Sequence, residues 1–193
     1  MKRTILVSGG LDSTVLLHHS LRSSDPTSNT AVSVDYGQPH PLELEYAKDL
    51  CLRLGVKQHV LTARHWNQVP EPKRVNDIPW MPGPDDPMVV RGRNSLFVSL
   101  AYIVEECDEI WLGCNRDDQR DYPDCREAWA DAISKVFGVQ VRLPLAMWSK
   151  REIVEMSKLY HIDLETTLSC YRGWSTGCGA CNACFLLAEA TKQ

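Results

Sequence analysis

Ser8-Gly9-Gly10-Leu11-Asp12-Ser13, followed by Thr14, assembles the residue types that grip a multiply charged anion. Two glycines let backbone N–H groups close on an anion that any Cβ would hold off. Ser8 and Ser13 carry hydroxyl donors. The segment follows the apolar run Thr4-Ile5-Leu6-Val7 and precedes Thr14-Val15-Leu16-Leu17, so it reads as a turn from strand to helix. A helix dipole would then add its positive end to the amides. Asp12 cannot bind phosphate itself, so its role falls to positioning Mg²⁺ or the loop backbone. No Gly-Lys-Ser/Thr follows, which separates the loop from the Walker pattern. The chemistry to expect is a phosphate-handling reaction.

A second group lies near the C-terminus. Cys170, Cys178, Cys181 and Cys184 fall within fifteen residues, with Gly177 and Gly179 around Cys178. Four thiolates at this spacing suit one tetrahedral Zn²⁺ in a closed, structural site. An iron–sulfur cluster is the rival reading, although the proline that usually follows its last cysteine is missing. Unliganded cysteines are the third. Of the other four, Cys51 and Cys107 lie in or beside apolar helical stretches and read as core. Cys114 and Cys125 flank a polar loop where a catalytic thiol is conceivable, but no histidine is paired with either in sequence.

Polar residues suited to a planar heterocycle form a third group: Asp35-Tyr36-Gly37-Gln38-x-His40, Arg91-Gly92-Arg93-Asn94, Gly113-Cys114-Asn115 and Tyr122-Pro123-Asp124-Cys125-Arg126. A ring can stack on a base while Asp, Asn, Gln and Arg read its edges. Taken singly, each is equally a solvated loop residue or a packing aromatic.

These groups need elements to position them. Strands are expected at Thr4–Val7, Thr30–Val34, Lys57–Leu61 and Glu109–Gly113. Helices are expected at Ser13–Arg22, Pro41–Leu54, Asn94–Glu106 (buried) and Asp124–Phe137. Ser149-Lys150-Arg151-Glu152 fits a capping box and opens a helix to about His161. The alternation implies a doubly wound parallel sheet covered on both faces, with Ser8, Asp35 and Asn115 along one ligand-binding edge. Residues 62–92 hold six prolines and no helical period, so a long functional or mobile loop is expected there. Residues 1–164 read as the main domain and 165–193 as a small metal-bound helical unit packed on it.

The whole chain bounds the possibilities. Its 193 residues suffice for one domain with a full core. A net charge of −4 argues against nucleic-acid or membrane binding through bulk charge. The apolar run after Met1-Lys2-Arg3 stops at Val7, too short for a signal peptide or a membrane span. A cytoplasmic protein is expected, and with it reduced cysteines.

The anion loop resembles that of the ATP pyrophosphatase (PP-loop) superfamily. The full set is more specific. Ser8-Gly-Gly-Leu-Asp-Ser13-Thr14, Asp35-Tyr-Gly-Gln38-x-His40, Gly92-Arg93-Asn94, Gly113-x-Asn115, Tyr122-Pro-Asp-Cys-Arg126, Ser149-Lys150-x-Glu152-Ile153 and Ser169-Cys170-Tyr171 with the cysteine cluster resemble, in order, the 7-cyano-7-deazaguanine synthase family. The chain departs from the family pattern at Arg91, at Arg120-Asp121 and at Leu187.

The resemblance implies a ligase that uses ATP and ammonia to convert 7-carboxy-7-deazaguanine to the nitrile for queuosine- or archaeosine-type modification. Val7, Ser8, Gly9, Gly10, Leu11, Asp12, Ser13 and Thr14 would hold ATP, with Mg²⁺. Asp12, Ser13, Arg93 and Lys150 would serve catalysis, although Lys150 could equally be an exposed lysine at a helix start. Asp35, Tyr36, Gln38, Arg93, Asn94, Asn115, Tyr122, Asp124 and Arg126 would hold the substrate, and the four clustered cysteines Zn²⁺. No nucleic-acid or membrane partner is implied; a homodimer is compatible with the resemblance, and the residues do not fix the oligomeric state. Two alternatives stay open: a relative that stops at the amide or adenylates another acid, and a zinc-bearing binding module with a vestigial nucleotide site.

Overall fold

A computed structural model describes residues 1–38, 42–63, 92–120, 122–170 and 174–191. His40, Arg91, Asp121, Tyr171 and nearly all of the proline-rich stretch lie outside the described residues.

Five strands form one parallel sheet: β1 (Arg3–Leu6), β2 (Asn29–Asp35), β3 (Lys57–Thr62), β4 (Glu109–Trp111) and β5 (Gln140–Arg142), in the order β3-β2-β1-β4-β5. The register sets Arg3 opposite Asn29 on one side and Glu109 on the other. Helices α1 (Leu11–Leu21), α2 (Leu42–Leu54), α3 (Arg93–Val104), α4 (Glu127–Phe137), α5 (Lys150–Leu159) and α6 (Asn182–Thr191) complete the frame.

Strand period two divides the core into layers. Ile5 and Val7 point into a cluster with Val15, Leu16 and Leu17 of α1, Ala47 and Leu50 of α2, and Ile153 and Val154 of α5. Leu6, Val32 and Val34 point the other way, onto Val98 and Ala101 of α3 and Ala130 of α4. The covering helices change face where the chain stops winding outward from β1 to β3 and crosses back to β4. A uniform crossover hand requires that change. The gap between β1 and β4 is therefore the switch point, where such sheets bind ligands.

Most expected elements form, with ends shifted by a few residues. α3 is less buried than its apolar sequence suggests: Val98 and Ala101 are enclosed, while Ile103 is 77% exposed. β5, at three residues, escapes the sequence pattern because only Val141 of the strand is buried. α6 was expected only as part of a metal-bound unit; it packs on α5, with Leu187 against the first core cluster.

At the opposite end of the sheet, buried Glu109 accepts from Arg3 Nε at 3.1 Å, Trp111 Nε1 at 3.0 Å and Arg142 Nε at 3.3 Å. The Arg3 guanidinium also lies 4.5 Å over the Trp111 ring. Glu109→Ala would strand the Arg3 charge and the indole N–H in a nearly dry setting. It is expected to cost about 3 kcal/mol of stability, read by urea unfolding; the exposed Arg142 pair contributes little of this.

Candidate active site

Ser8-Gly9-Gly10 bridges the end of β1 and the first turn of α1. Gly9 adopts φ +88°, and a Cβ there would overlap the Glu43 carbonyl oxygen and stand 3.0 Å from Ala47 N. The glycine thus lets α2 press directly on the loop. Gly10 caps α1 without any side-chain bond to the helix end, so no side chain of the cap shields the dipole. Val7 and Leu11 are core residues that lend only backbone.

The loop hydroxyls are partly committed. Ser13 Oγ donates to Gly10 O at 3.0 Å and accepts from Ser8 N at 3.2 Å. Thr14 Oγ1 donates to Gly10 O at 2.9 Å. Ser8 is exposed, 3.2 Å from Ser13 Oγ. Ser13 and Thr14 shape the turn, and Ser8 is the hydroxyl that faces outward.

Lys150 is 7% exposed, which removes the surface-lysine reading. Its Nζ meets Asp12 Oδ1 at 2.6 Å. Asn115 Nδ2 donates to the other Asp12 oxygen at 3.2 Å. Asn115 in turn accepts from Asp117 N at 2.8 Å and Asp118 N at 3.0 Å. Asp117 Oδ2 closes the circuit by accepting from Lys150 N at 2.8 Å. The capping box at Ser149 and Glu152 forms in full and fixes where α5 starts. The loop after β4 therefore joins α1 to α5 and aims an ammonium at the anion loop.

Sequence reasoning passed over Asp117 and Asp118, although both directly follow Asn115. Burial is the main cause that pushes the Asp118 carboxyl up to about 6; the Asp12 charge adds to it and Lys150 opposes it. Glu43 was also missed. Burial raises its carboxyl to about 7 against the pull of the Arg93 charge.

The expected base-reading residues gather along the same edge but serve partly as framework. Asp35 Oδ1 accepts from Gly37 N at 3.2 Å. Gln38 folds back, accepting from Tyr36 N at 3.0 Å. Tyr36 lies against Phe97, ring centroids 5.4 Å apart. Asn94 Nδ2 donates to Asp124 O at 3.0 Å and reaches Cys125 Sγ at 3.5 Å, while Asp124 Oδ2 accepts from Asn94 N at 3.3 Å. Arg126 Nε donates to Gln119 O at 2.8 Å, and Tyr122 is half-buried against the second core cluster. Cys114 and Cys125 are both buried. The hydrogen bond between them and then burial hold the Cys114 thiol well above its ordinary range, so it is no nucleophile.

The sulfur atoms of Cys170, Cys178, Cys181 and Cys184 all lie within 4.8 Å of one another. A tetrahedral ion with bonds of about 2.3 Å sets its ligands about 3.8 Å apart; Cys178 and Cys184 stand at 4.0 Å. Burial alone would raise the Cys178 thiol, but the amides of Ala180 and Cys181 and the neighbouring thiols bring it down to about 7. Gly177, at φ +76°, turns the chain tightly around Cys184 Sγ. The donor set fits a single thiophilic metal ion.

A parallel sheet of this order, with a glycine-rich anion loop at its switch point, defines the PP-loop class of α/β proteins. Solved structures of that fold are similar to it. They include the U34-tRNA thiolase NcsA from Methanococcus maripaludis with its [4Fe-4S] cluster (TM-score 0.57, 16% identity, 98% of this chain and 70% of that one). NMN synthetase from Francisella tularensis is a second (TM-score 0.55, 15% identity, 91% and 69%). The chain belongs to the family described as Queuosine biosynthesis protein QueC, which matches residues 2–193. Similar curated proteins are the 7-cyano-7-deazaguanine synthases of Pseudomonas putida KT2440, 31% identical over 99% of this chain and 93% of that protein, and of Synechococcus sp. CC9605, 33% identical over 97% and 91%. Among the described residues no helix is long and apolar enough to cross a membrane.

The Asp118 carboxyl, at about 6 in the fold against an ordinary 3.8, binds its proton more tightly folded than unfolded. That contribution is complete below about pH 4 and is lost as pH rises through 6. Asp118→Asn keeps an acceptor for Asn115 N and removes the buried charge. The variant is expected to be about 1–3 kcal/mol more stable at pH 7.5, the gain fading on acidification to pH 4, read by urea unfolding across that range.

Proposed function

We propose that this protein makes 7-cyano-7-deazaguanine from 7-carboxy-7-deazaguanine, ammonia and ATP. The observation that carries the reading is the pair of buried Lys150 with Asp12, set at the glycine-capped start of α1 at the sheet's switch point. Family membership and the synthase relatives support the substrate.

A carboxylate is a poor electrophile. Attack of its oxygen on the α-phosphorus of ATP forms an acyl adenylate and expels pyrophosphate. Ammonia adds to the acyl carbon, AMP leaves and a proton is released, giving the amide. The amide oxygen attacks a second ATP; pyrophosphate departs, and loss of AMP and a proton leaves the nitrile.

In this reading the amides and Ser8 of the loop hold the β- and γ-phosphates, and Lys150 and Arg93 balance charge as pyrophosphate separates. Asp12 is the carboxylate suited to Mg²⁺, which would neutralise phosphate charge when bound. Ser13, Thr14, Asn94 and Asn115 hold this framework in shape. Asp35, Tyr36 and Gln38 at the end of β2, with Tyr122, Asp124 and Arg126 opposite, hold the deazaguanine. Zn²⁺ fits the four thiolates, and residues 165–193 form its unit on the 1–164 domain.

Mass spectrometry of the product from the acid, ammonium and ATP tests the reading. A nitrile with two AMP released per turnover is expected. A product one water heavier would show that the reaction stops at the amide, and no AMP at all would overturn the assignment. Asp12→Asn retains the Asn115 neighbour but weakens the hold on Lys150; pyrophosphate release should fall about 10²–10³-fold while the circular dichroism spectrum is unchanged.

A further inference from the structure

The segment entering the cysteine cluster is bonded to the anion loop itself. Leu168 N donates to Gly9 O at 2.9 Å. Leu11 N, the first amide of α1, donates to Ser169 Oγ at 3.2 Å. The next residue is Cys170, a buried member of the thiol cluster. Leu168, Cys170, Cys181 and Ala183 share a core cluster of their own, against which Tyr46 of α2 packs. Tyr46 lies one helical turn beyond Glu43, whose carbonyl abuts Gly9. The thiol cluster therefore grips the loop from two sides, through Leu168-Ser169 and through α2.

The hydroxyl of Ser169 has a chemistry distinct from that of Ser13. Accepting from Leu11 N uses one lone pair and leaves its own proton to give. The Leu11 amide is one of the donors that make a helix start an anion site. A serine bonded to that amide can pass a donor from the backbone to the ligand.

We propose that Ser169 belongs to the triphosphate site, relaying the Leu11 amide to a phosphate oxygen, and that the metal at Cys170 fixes it there, so that metal occupancy governs nucleotide affinity. The inference rests on reading the loop as a triphosphate site. The metal then tunes substrate binding besides holding the C-terminal segment.

Titration calorimetry with the β,γ-imido analogue of ATP and Mg²⁺, alongside elemental analysis, provides the test. Ser169→Ala should keep its full metal content and bind the analogue about 10-fold more weakly, the scale of one hydrogen bond to a charged group. Metal-depleted wild type should show a similar loss, and metal-depleted Ser169→Ala should be no weaker than either alone. Ser169→Thr, which retains the hydroxyl, should bind like wild type. Unchanged affinity in Ser169→Ala would overturn the inference, as would unchanged affinity on metal removal or a threonine variant as weak as alanine. If metal-loaded wild type failed to bind the analogue, the triphosphate reading itself would fall.

Discussion

The contact between the Lys150 ammonium and the Asp12 carboxylate is the interaction on which the arrangement of this site depends. The Lys150 charge would not be tolerated alone at that depth, because an unpartnered ammonium in a nearly dry setting is strongly disfavoured. Asp12 therefore fixes the position of the ammonium. Asp12 sits on the first turn of α1, and Lys150 opens α5, more than a hundred residues later in sequence. The pair joins the start of the sheet to the helix that follows its last strand. From the turn after β4, Asn115 donates to the second Asp12 oxygen and Asp117 accepts from the Lys150 backbone N–H. Three separate segments thus converge on one anion loop, and the loop needs no long side chain of its own to be charged correctly.

The two sides of the switch point divide the work by chemistry. On the α1–α5 side, charge and main-chain amides face the loop. On the α3–α4 side, Asn94, Asp124, Cys114 and Cys125 bond mostly to one another. Such a satisfied polar framework stiffens the wall of a pocket, because each member would be left buried and unpaired if the wall moved. Tyr36 packs on Phe97 beside this framework, and Ser8 stays exposed.

Much of this was legible in the residues. Short apolar runs followed by Ser8 and Asp35 or closed by Gly113 locate β1, β2 and β4 and the edge they share. Ser149 and Glu152 locate the start of α5 to the residue, because a capping box is a local hydrogen-bonding unit that needs no tertiary help. The side-chain destinations were harder to read. Nothing in a Ser-Lys-Arg-Glu string distinguishes a surface lysine from one buried 2.6 Å from an aspartate; that depends on a partner 138 residues away. Asn94, Asn115, Asp124 and Arg126 were expected to read a heterocycle, and each has a bond to the protein itself in the structure. Glu43 and Asp118 lay hidden for the same reason: burial, a tertiary property, is the largest cause that perturbs them. β5 is too short and too exposed for any alternating pattern to register.

Because Gly9 meets Leu168, Leu11 meets Ser169 and Asp12 meets Lys150, the glycine turn waits for partners made well over a hundred residues later. At elongation rates of about 5–20 residues per second, β1 and its glycine turn spend on the order of ten seconds or more in a chain that still lacks both their counter-charge and their clamp. The turn of a nascent chain therefore stays unlatched until Ser169 has emerged.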